Sequence, residues 1–169
     1  MKNNGAFLVS DPGDMLKLTK ATINNCFSMR RSLAGKSANE ILKAADIPCE
    51  KEVRLIVVEV MKTHPFVTTE MLMPLVPLIK VGSFEDLLDT ALFIEQGHRH
   101  TAVIHSQNLA RLDKAAQVMQ TSVFVRNGPA LSAIGLDSEA GAGFTIANIT
   151  GEGITTPRTF ARQRLCSMN

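Results

Sequence analysis

The stretch Val53-Arg-Leu-Ile-Val-Val-Glu-Val60 decides the fold, because it is a near-continuous run of β-branched residues. Such a run is typical of a strand that is covered on both faces, as strands are in parallel sheets. A second apolar run covers residues 75–81. Pro74 and Pro77 place that run at a sheet edge or a bulge, because proline has no amide hydrogen to donate to a central ladder. The two runs therefore predict two strands, the second of them at an edge or a bulge of its sheet.

Helices and strands alternate after these runs. Ser83 to Asp86 has the pattern of a capping box, and the apolar stripe behind it predicts a helix that ends at Gly97. The other predicted elements are a helix within residues 14–29, a shorter helix over 37–45, a strand over 101–105, a helix capped by Ser106 or Asn108, and a strand over 122–125. This alternation with short connections predicts an α/β fold, with a parallel sheet and helices on both of its faces. Residues 128–153 are rich in Gly, Ser and Thr and predict a long loop.

Composition and charge exclude several classes of protein. The chain has 169 residues, of which 45% are hydrophobic and 20% charged, which is the profile of a globular domain. Its 18 basic and 16 acidic residues are mixed along the chain, and it has neither Trp nor Tyr, so no nucleic-acid partner is expected. No apolar stretch approaches the roughly 20 residues of a membrane helix, and the first residues do not read as a signal peptide. We therefore expect a cytoplasmic protein without a membrane partner.

Three cysteines, Cys26, Cys49 and Cys166, lie far apart in the sequence, which argues against a disulfide framework. Cys49 has Lys51 nearby and superficially resembles a nucleophile in a loop. However, a small residue at the entry to a strand is ordinary, and we expect no catalytic role for Cys49.

Histidines and glycines offer two further hypotheses. His98 and His100 would share one face of a strand, but no carboxylate or cysteine joins them at a metal-site spacing, so a polar turn is favoured and no metal is expected. The glycine pairs at 141–143 and 151–153 lack the spacing of a dinucleotide-binding loop and predict turns.

Glu70 is a single carboxylate within the apolar segment 66–74. Taken alone, its composition favours a glutamate that points to solvent. A ligand contact is the alternative that the residues leave open.

Four blocks, in order along the chain, resemble the CoA-acylating propionaldehyde and acetaldehyde dehydrogenases of propanediol and ethanolamine utilisation. The blocks are Thr63-His-Pro-Phe-Val-Thr-Thr-Glu-Met-Leu-Met-Pro-Leu-Val-Pro77, Gly97-His-Arg-His-Thr-Ala-Val-Ile-His105, Ser122-Val-Phe-Val-Arg-Asn-Gly-Pro129 and Thr150-Gly-Glu-Gly-Ile-Thr-Thr-Pro-Arg-Thr-Phe160. The resemblance implies that residues 1–158 are the C-terminal part of an aldehyde dehydrogenase catalytic domain. It also implies that residues 159–169 are a C-terminal oligomerisation arm that forms a strand.

The resemblance also assigns site residues. In the wider superfamily, a Glu followed four residues later by Pro marks the segment that binds the nicotinamide ribose, with an apolar side chain two residues after the Glu. Those positions are Glu70, Leu72 and Pro74, and Leu72 stands where many relatives have Phe. A carboxylate suits this role because it can accept two hydroxyl hydrogen bonds. The implied cofactor is NAD, and the implied co-substrate is coenzyme A.

The reaction that the resemblance implies converts a short-chain aldehyde to an acyl-CoA through a cysteine thioacyl intermediate. In the family, the cysteine lies one helix upstream of the segment that resembles residues 2–8, and the dinucleotide-binding domain also comes earlier. We therefore expect this chain to hold no catalytic residue of its own and to act as part of a homo-oligomeric enzyme, in the cytoplasm or in a bacterial microcompartment. The alternatives are a free-standing, non-catalytic binding or assembly module of the same fold and, less favoured, a small histidine-dependent metalloprotein.

Overall fold

A computed structural model describes residues 2–135, 161–162 and 164–167. The chain divides into two compact units, one ending at Val81 and the other beginning at Gly82. Among the described residues, no helix combines the length and hydropathy needed to cross a membrane.

The first unit is built on a three-stranded parallel sheet with the order β1-β2-β3. Its strands are β1 (Ala6–Val9), β2 (Leu55–Glu59) and β3 (Leu75–Leu78). The register places Val57 of β2 opposite Leu8 of β1 and Val76 of β3. The strand β3 lies at an edge, as Pro74 and Pro77 predict.

Three helices accompany this sheet: α1 (Pro12–Thr22), α2 (Ala38–Ala44) and α3 (Pro65–Thr68). Asp11 caps α1 by accepting a hydrogen bond of 2.9 Å from the amide of Asp14. Ser37 and Glu40 form a complete capping box at α2. The hydrogen bond from the Ser37 backbone, followed by that from Lys36, lowers the pKa of Glu40 to about 2.

The hydrophobic core of the first unit lies on one face of this sheet. Ile56 and Val58 of β2 point into it, and Leu18 of α1 and Ile41 and Leu42 of α2 cover them. These five side chains are almost completely buried. The single sheet face thus sets the positions of both helices.

The second unit contains a two-stranded parallel sheet of β4 (Thr101–Ile104) and β5 (Val123–Arg126). Its helices are α4 (Phe84–Glu95) and α5 (Leu109–Met119). Ser83 caps α4, and Asn108, one of the two predicted candidates, caps α5. The chain leaves α4 through Gln96 and Gly97, both with positive φ, so the predicted stop at Gly97 is confirmed.

The predicted parallel α/β fold is confirmed, and the strands divide into two sheets rather than continuing one. The strand β1 was not among the predicted elements. Residues Ala130–Ile134 of the predicted loop form a short 3₁₀ helix. The remainder of that loop, with the turns predicted at 141–143 and 151–153, lies outside the described residues.

The described part of the predicted arm consists of residues 161–162 and 164–167. These residues are exposed and form no regular element within the chain, and Leu165 is 99% exposed. A strand that forms by pairing with another subunit is not tested by one chain, so the oligomerisation strand stays a prediction.

Candidate functional site

Glu70 and Leu72 lie on the connection between α3 and β3, and three hydrogen bonds hold this connection in place. The Thr69 amide donates to the carbonyl of Pro65 at 3.0 Å, which closes α3. The Thr69 hydroxyl donates to the carbonyl of Phe27 at 3.1 Å. Further along, the Gly35 amide donates to the carbonyl of Leu72 at 2.9 Å. The segment is therefore fixed to the loop that joins α1 to α2.

Met71 fixes the orientation of the two candidate residues on either side of it. Its side chain is buried in the core of the first unit, whereas Glu70 and Leu72 are exposed. Pro74 ends the segment at the sheet, where its carbonyl accepts a hydrogen bond of 2.9 Å from the Ile56 amide. Burying the middle residue therefore presents its two neighbours to solvent.

The carboxylate of Glu70 has no hydrogen-bond or ion-pair partner in the part of the chain that the structure describes. Its acceptor sites are thus available to the donors of a ligand. Solvent exposure is expected for a glutamate that contacts only water. It is equally expected for a glutamate that contacts a ligand. The assignment of Glu70 and Leu72 to a cofactor site stays a prediction.

Leu72 has two structural features that the sequence does not predict. Its side chain is 56% exposed, and its backbone has φ of +49°, in the left-handed region. A non-glycine residue in a sparsely populated backbone region costs roughly 1–3 kcal/mol and is found preferentially at ligand sites and switches. The hydrogen bond from the Gly35 amide and the buried Met71 next to it hold the backbone of Leu72 in this conformation. Six other non-glycine residues in the described part of the chain also have positive φ, so it is the exposed apolar side chain of Leu72 that makes it available to an apolar ligand surface.

His64 supports the same segment from the start of α3. Its Nδ1 accepts a hydrogen bond of 3.2 Å from the Phe66 amide, and the centroids of the two rings are 4.6 Å apart. Burial lowers the pKa of His64. The neutral ring suits this capping role, because Nδ1 must lack a proton in order to accept.

Cys49 lies at the rim of a surface hollow of about 630 Å³ in the first unit, lined also by Lys17, Asn39 and Asp46. Its thiol is half-buried and lies 3.4 Å from the carbonyl oxygen of Lys51. A carbonyl oxygen accepts a hydrogen bond from the protonated thiol and gives no stabilisation to a thiolate. That Cys49 is not a nucleophile stays a prediction.

His98, His100 and His105 are exposed. The His98 amide donates to the carbonyl of Glu95 at 3.0 Å, which forms the predicted turn after α4. Within the described ranges, no group of three or more His, Cys, Asp or Glu side chains has a geometry suited to a metal ion.

No family model matches the chain. Individual relatives do: the chain is 45% identical over 167 residues to the propanal dehydrogenase (CoA-propanoylating) of Salmonella typhimurium, covering 98% of this chain and 36% of that protein. It is 38% identical over 139 residues to an acetylating acetaldehyde dehydrogenase of Escherichia coli, covering 82% of this chain and 30% of that protein.

Solved structures agree with these matches. The propionaldehyde dehydrogenase of Rhodopseudomonas palustris, with bound propionyl-CoA, superposes with a TM-score of 0.91 at 38% identity, over 99% of this chain and 37% of that one. A propionaldehyde dehydrogenase from the fucose utilisation microcompartment of Clostridium phytofermentans gives a TM-score of 0.89 at 35% identity, over 99% and 38%. The chain thus spans about a third of the length of these relatives. By sequence and by fold, this chain is similar to one part of the CoA-acylating propanal and acetaldehyde dehydrogenases.

Proposed function

We propose that this chain is one part of an NAD-dependent, CoA-acylating aldehyde dehydrogenase that converts a short-chain aldehyde to an acyl-CoA. The observation that carries the proposal is the 45% identity to a CoA-propanoylating propanal dehydrogenase along 98% of the chain. An identity maintained over so much of the chain supports a shared activity more strongly than any single motif. In this proposal the catalytic cysteine and the dinucleotide-binding domain belong to polypeptide outside these residues.

The related structures support the ligands in this proposal. The Rhodopseudomonas palustris enzyme has been solved with CoA and an acylated cysteine, and an engineered glycolyl-CoA reductase has been solved with NADP⁺. Both match 99% of this chain. We assign the same two ligand classes, a nicotinamide dinucleotide and CoA, to the complete enzyme, and NAD as the dinucleotide.

Glu70 and Leu72 are the residues that we assign to the nicotinamide dinucleotide. The exposed Glu70 carboxylate has no partner among the described residues, so it can accept hydrogen bonds from the two ribose hydroxyls. The exposed Leu72 side chain offers apolar surface to the nicotinamide ring. NAD, when bound, supplies the hydride acceptor. The role of this chain is to fix the position of the ring, since a small displacement of the reacting atoms slows the transfer.

The remaining parts of the proposal concern assembly and location. We assign residues 159–169 to an arm that pairs with a second subunit of a homo-oligomer. We place the protein in the cytoplasm, with a microcompartment lumen as the alternative location that the relative from Clostridium phytofermentans supports.

A chimera tests the proposed function. In it, this chain replaces the matching 167 residues of the Salmonella propanal dehydrogenase. We expect the chimera to form NADH from propanal, NAD and CoA, and to release propanoyl-CoA. A chimera that is folded and oligomeric like its parent but forms neither product would favour the alternative function, a non-catalytic binding or assembly module.

A further inference from the structure

Thr69 comes directly before Glu70, and its backbone and its side chain make separate hydrogen bonds. The amide closes α3 by donating to the carbonyl of Pro65 at 3.0 Å. The hydroxyl donates at 3.1 Å to the carbonyl of Phe27, 42 residues away on the loop between α1 and α2. Any residue except proline supplies the amide, whereas the second bond requires a side chain with a donor. The hydroxyl therefore does something that closing the helix does not require.

The acceptor of this bond belongs to a turn that Asn24 organises. The side-chain oxygen of Asn24 accepts hydrogen bonds from the amides of Cys26 at 2.9 Å and Ser28 at 3.0 Å. The backbone of Asn24 also pairs with the turn, since its amide donates to the carbonyl of Ser28 and its carbonyl accepts from the amide of Phe27. The residues on both sides of Phe27 are thus bonded to one asparagine, which fixes the direction of the Phe27 carbonyl.

Phe27 is held in this turn by its backbone and not by packing of its ring. Its side chain is 74% exposed, and its φ is +56°, in the left-handed region. The base of the turn is anchored, because an antiparallel bridge joins Ile23 to Met29. Ile23 belongs to the core cluster of the first unit, and Met29 packs against that cluster. A continuous series of contacts therefore leads from the core through the turn to Thr69.

A second hydrogen bond holds the chain on the other side of Glu70. The Gly35 amide donates to the carbonyl of Leu72 at 2.9 Å, and Met71 between them is buried. Glu70 thus lies between two attachments to the same loop. Its own carboxylate is exposed, so the backbone on either side of it sets the direction of this side chain.

We propose that Thr69 is a positioning residue for hydride transfer, an inference that rests on the proposed function. Its hydroxyl, bonded to the Asn24 turn, holds the peptide before Glu70 and so directs the Glu70 carboxylate towards the two ribose hydroxyls. Such a carboxylate must be aimed correctly, because a hydrogen bond weakens steeply as its angle departs from linearity. Misplacement of the ribose displaces the nicotinamide ring and slows the transfer. Thr69 itself touches neither cofactor nor substrate in this proposal.

The test uses the chimera with the Salmonella propanal dehydrogenase. Thr69→Val keeps the β-branched shape and removes the donor. We expect NAD affinity to fall by about fivefold and single-turnover hydride transfer to slow by about tenfold. Acylation of the enzyme by propanoyl-CoA, in which the cysteine thiolate displaces CoA from the thioester, is measured without dinucleotide and should keep its rate. Thr69→Ser, which keeps the hydroxyl, should restore hydride transfer to within about twofold of the unchanged chimera.

Asn24 provides a second, independent variant. Asn24→Ala should slow hydride transfer in the same way as Thr69→Val, whereas Asn24→Asp, which keeps an acceptor oxygen, should not. Thr19→Val is the matched control. The Thr19 hydroxyl also donates to a backbone carbonyl, that of Met15 at 2.8 Å, but within α1, and both threonines are half-buried. Its variant should transfer hydride like the unchanged chimera. If Thr69→Val does not fold, as judged by circular dichroism, Asn24→Ala carries the same test.

A double variant decides whether Thr69 acts through Glu70. In a chimera that already carries Glu70→Gln, Thr69→Val should slow hydride transfer by less than about twofold more, because the carboxylate that it directs is gone. An equal slowing in both backgrounds would overturn the proposal, as would a Thr69→Val chimera that transfers hydride like the unchanged one. An unchanged chimera that forms no NADH would contradict the proposed function, and this inference with it.

Discussion

The Gly35 amide donates a hydrogen bond of 2.9 Å to the carbonyl of Leu72, and it joins two segments that are far apart in sequence. Gly35 itself has φ of +72° and open space where a side chain would begin. A side chain at this position would therefore meet backbone strain but no steric clash. Gly35 and Leu72 both have left-handed backbone conformations, and one hydrogen bond joins them beside the candidate site.

Because Leu72 has a left-handed backbone, a substitution to asparagine can separate its effect on stability from its effect on binding. Asparagine tolerates positive φ better than leucine, so Leu72→Asn should leave the free energy of unfolding of this chain within about 0.5 kcal/mol of its original value. In the chimera, the same change should weaken NAD binding, because the apolar surface is lost. Urea unfolding and NAD titration measure the two effects. Unchanged NAD affinity would remove Leu72 from the site.

Glu70→Gln in the chimera should slow hydride transfer by about tenfold or more, because weaker ribose hydrogen bonds misplace the ring. Single-turnover NADH formation and NAD affinity are the measurements. Glu50→Gln is the control, since Glu50 is also an exposed glutamate in a loop of the first unit. If Glu70→Gln behaves like Glu50→Gln in both measurements, the ribose assignment is wrong.

The 169-residue chain alone should form no NADH from propionaldehyde, NAD and CoA. In the proposed division of the enzyme the nucleophile lies outside these residues, and the thiol of Cys49 faces a carbonyl oxygen. The assay includes Cys49→Ala. Turnover that this variant abolishes would identify Cys49 as a nucleophile and contradict the proposed division of the enzyme.

Stability should fall as the pH decreases through the range just below 6.5. Burial lowers the pKa of His64 in the folded chain, so protons bind more tightly to the unfolded chain as the pH falls below the ordinary histidine value. The contribution of neutral His64 is complete above that value and is lost towards the folded pKa. Glu40, with a pKa of about 2, loses its own contribution only below pH 4.5.

Urea unfolding at pH 8 and pH 5.5 measures this effect. His64→Asn is the control, because asparagine also accepts a hydrogen bond at a helix N-cap but does not titrate. The difference in stability between the two pH values should be smaller in the variant. An equal difference in both proteins would show that His64 is not its source.

Removal of residues 159–169 should reduce self-association if these residues form the proposed arm. Light scattering after chromatography compares the intact chain with one truncated after Arg158. The exposure of Leu165 leaves an apolar side chain available to a partner. An intact chain that is monomeric at high concentration, or an oligomer that the truncation leaves unchanged, would exclude the arm in this chain.

The elements that could be predicted from sequence are those whose signals are local. Ser83 and Asn108 cap helices through their own side chains, and the β-branched residues of β2 favour a strand wherever they are placed. The strand β1 has only four residues, and so short an apolar run is ambiguous until Leu8 meets Val57 across the sheet. The resemblance supplied Glu70, but the left-handed backbone of Leu72 depends on the distant Gly35, which no local pattern reveals.

Pro77, the third of the four residues of β3, has a consequence for aggregation. The amides of Ile56 and Val60 donate to the carbonyls of Pro74, just before β3, and of Leu78 in β3, so the backbone polar groups of these two residues point to β2. Backbone polar groups alternate in direction along a strand, so those of Pro77 point away from β2. Pro77 has no amide hydrogen to offer on that outer side. A further strand added there would lack a donor in the middle of its ladder, which disfavours templated growth of fibrils from this side of the sheet.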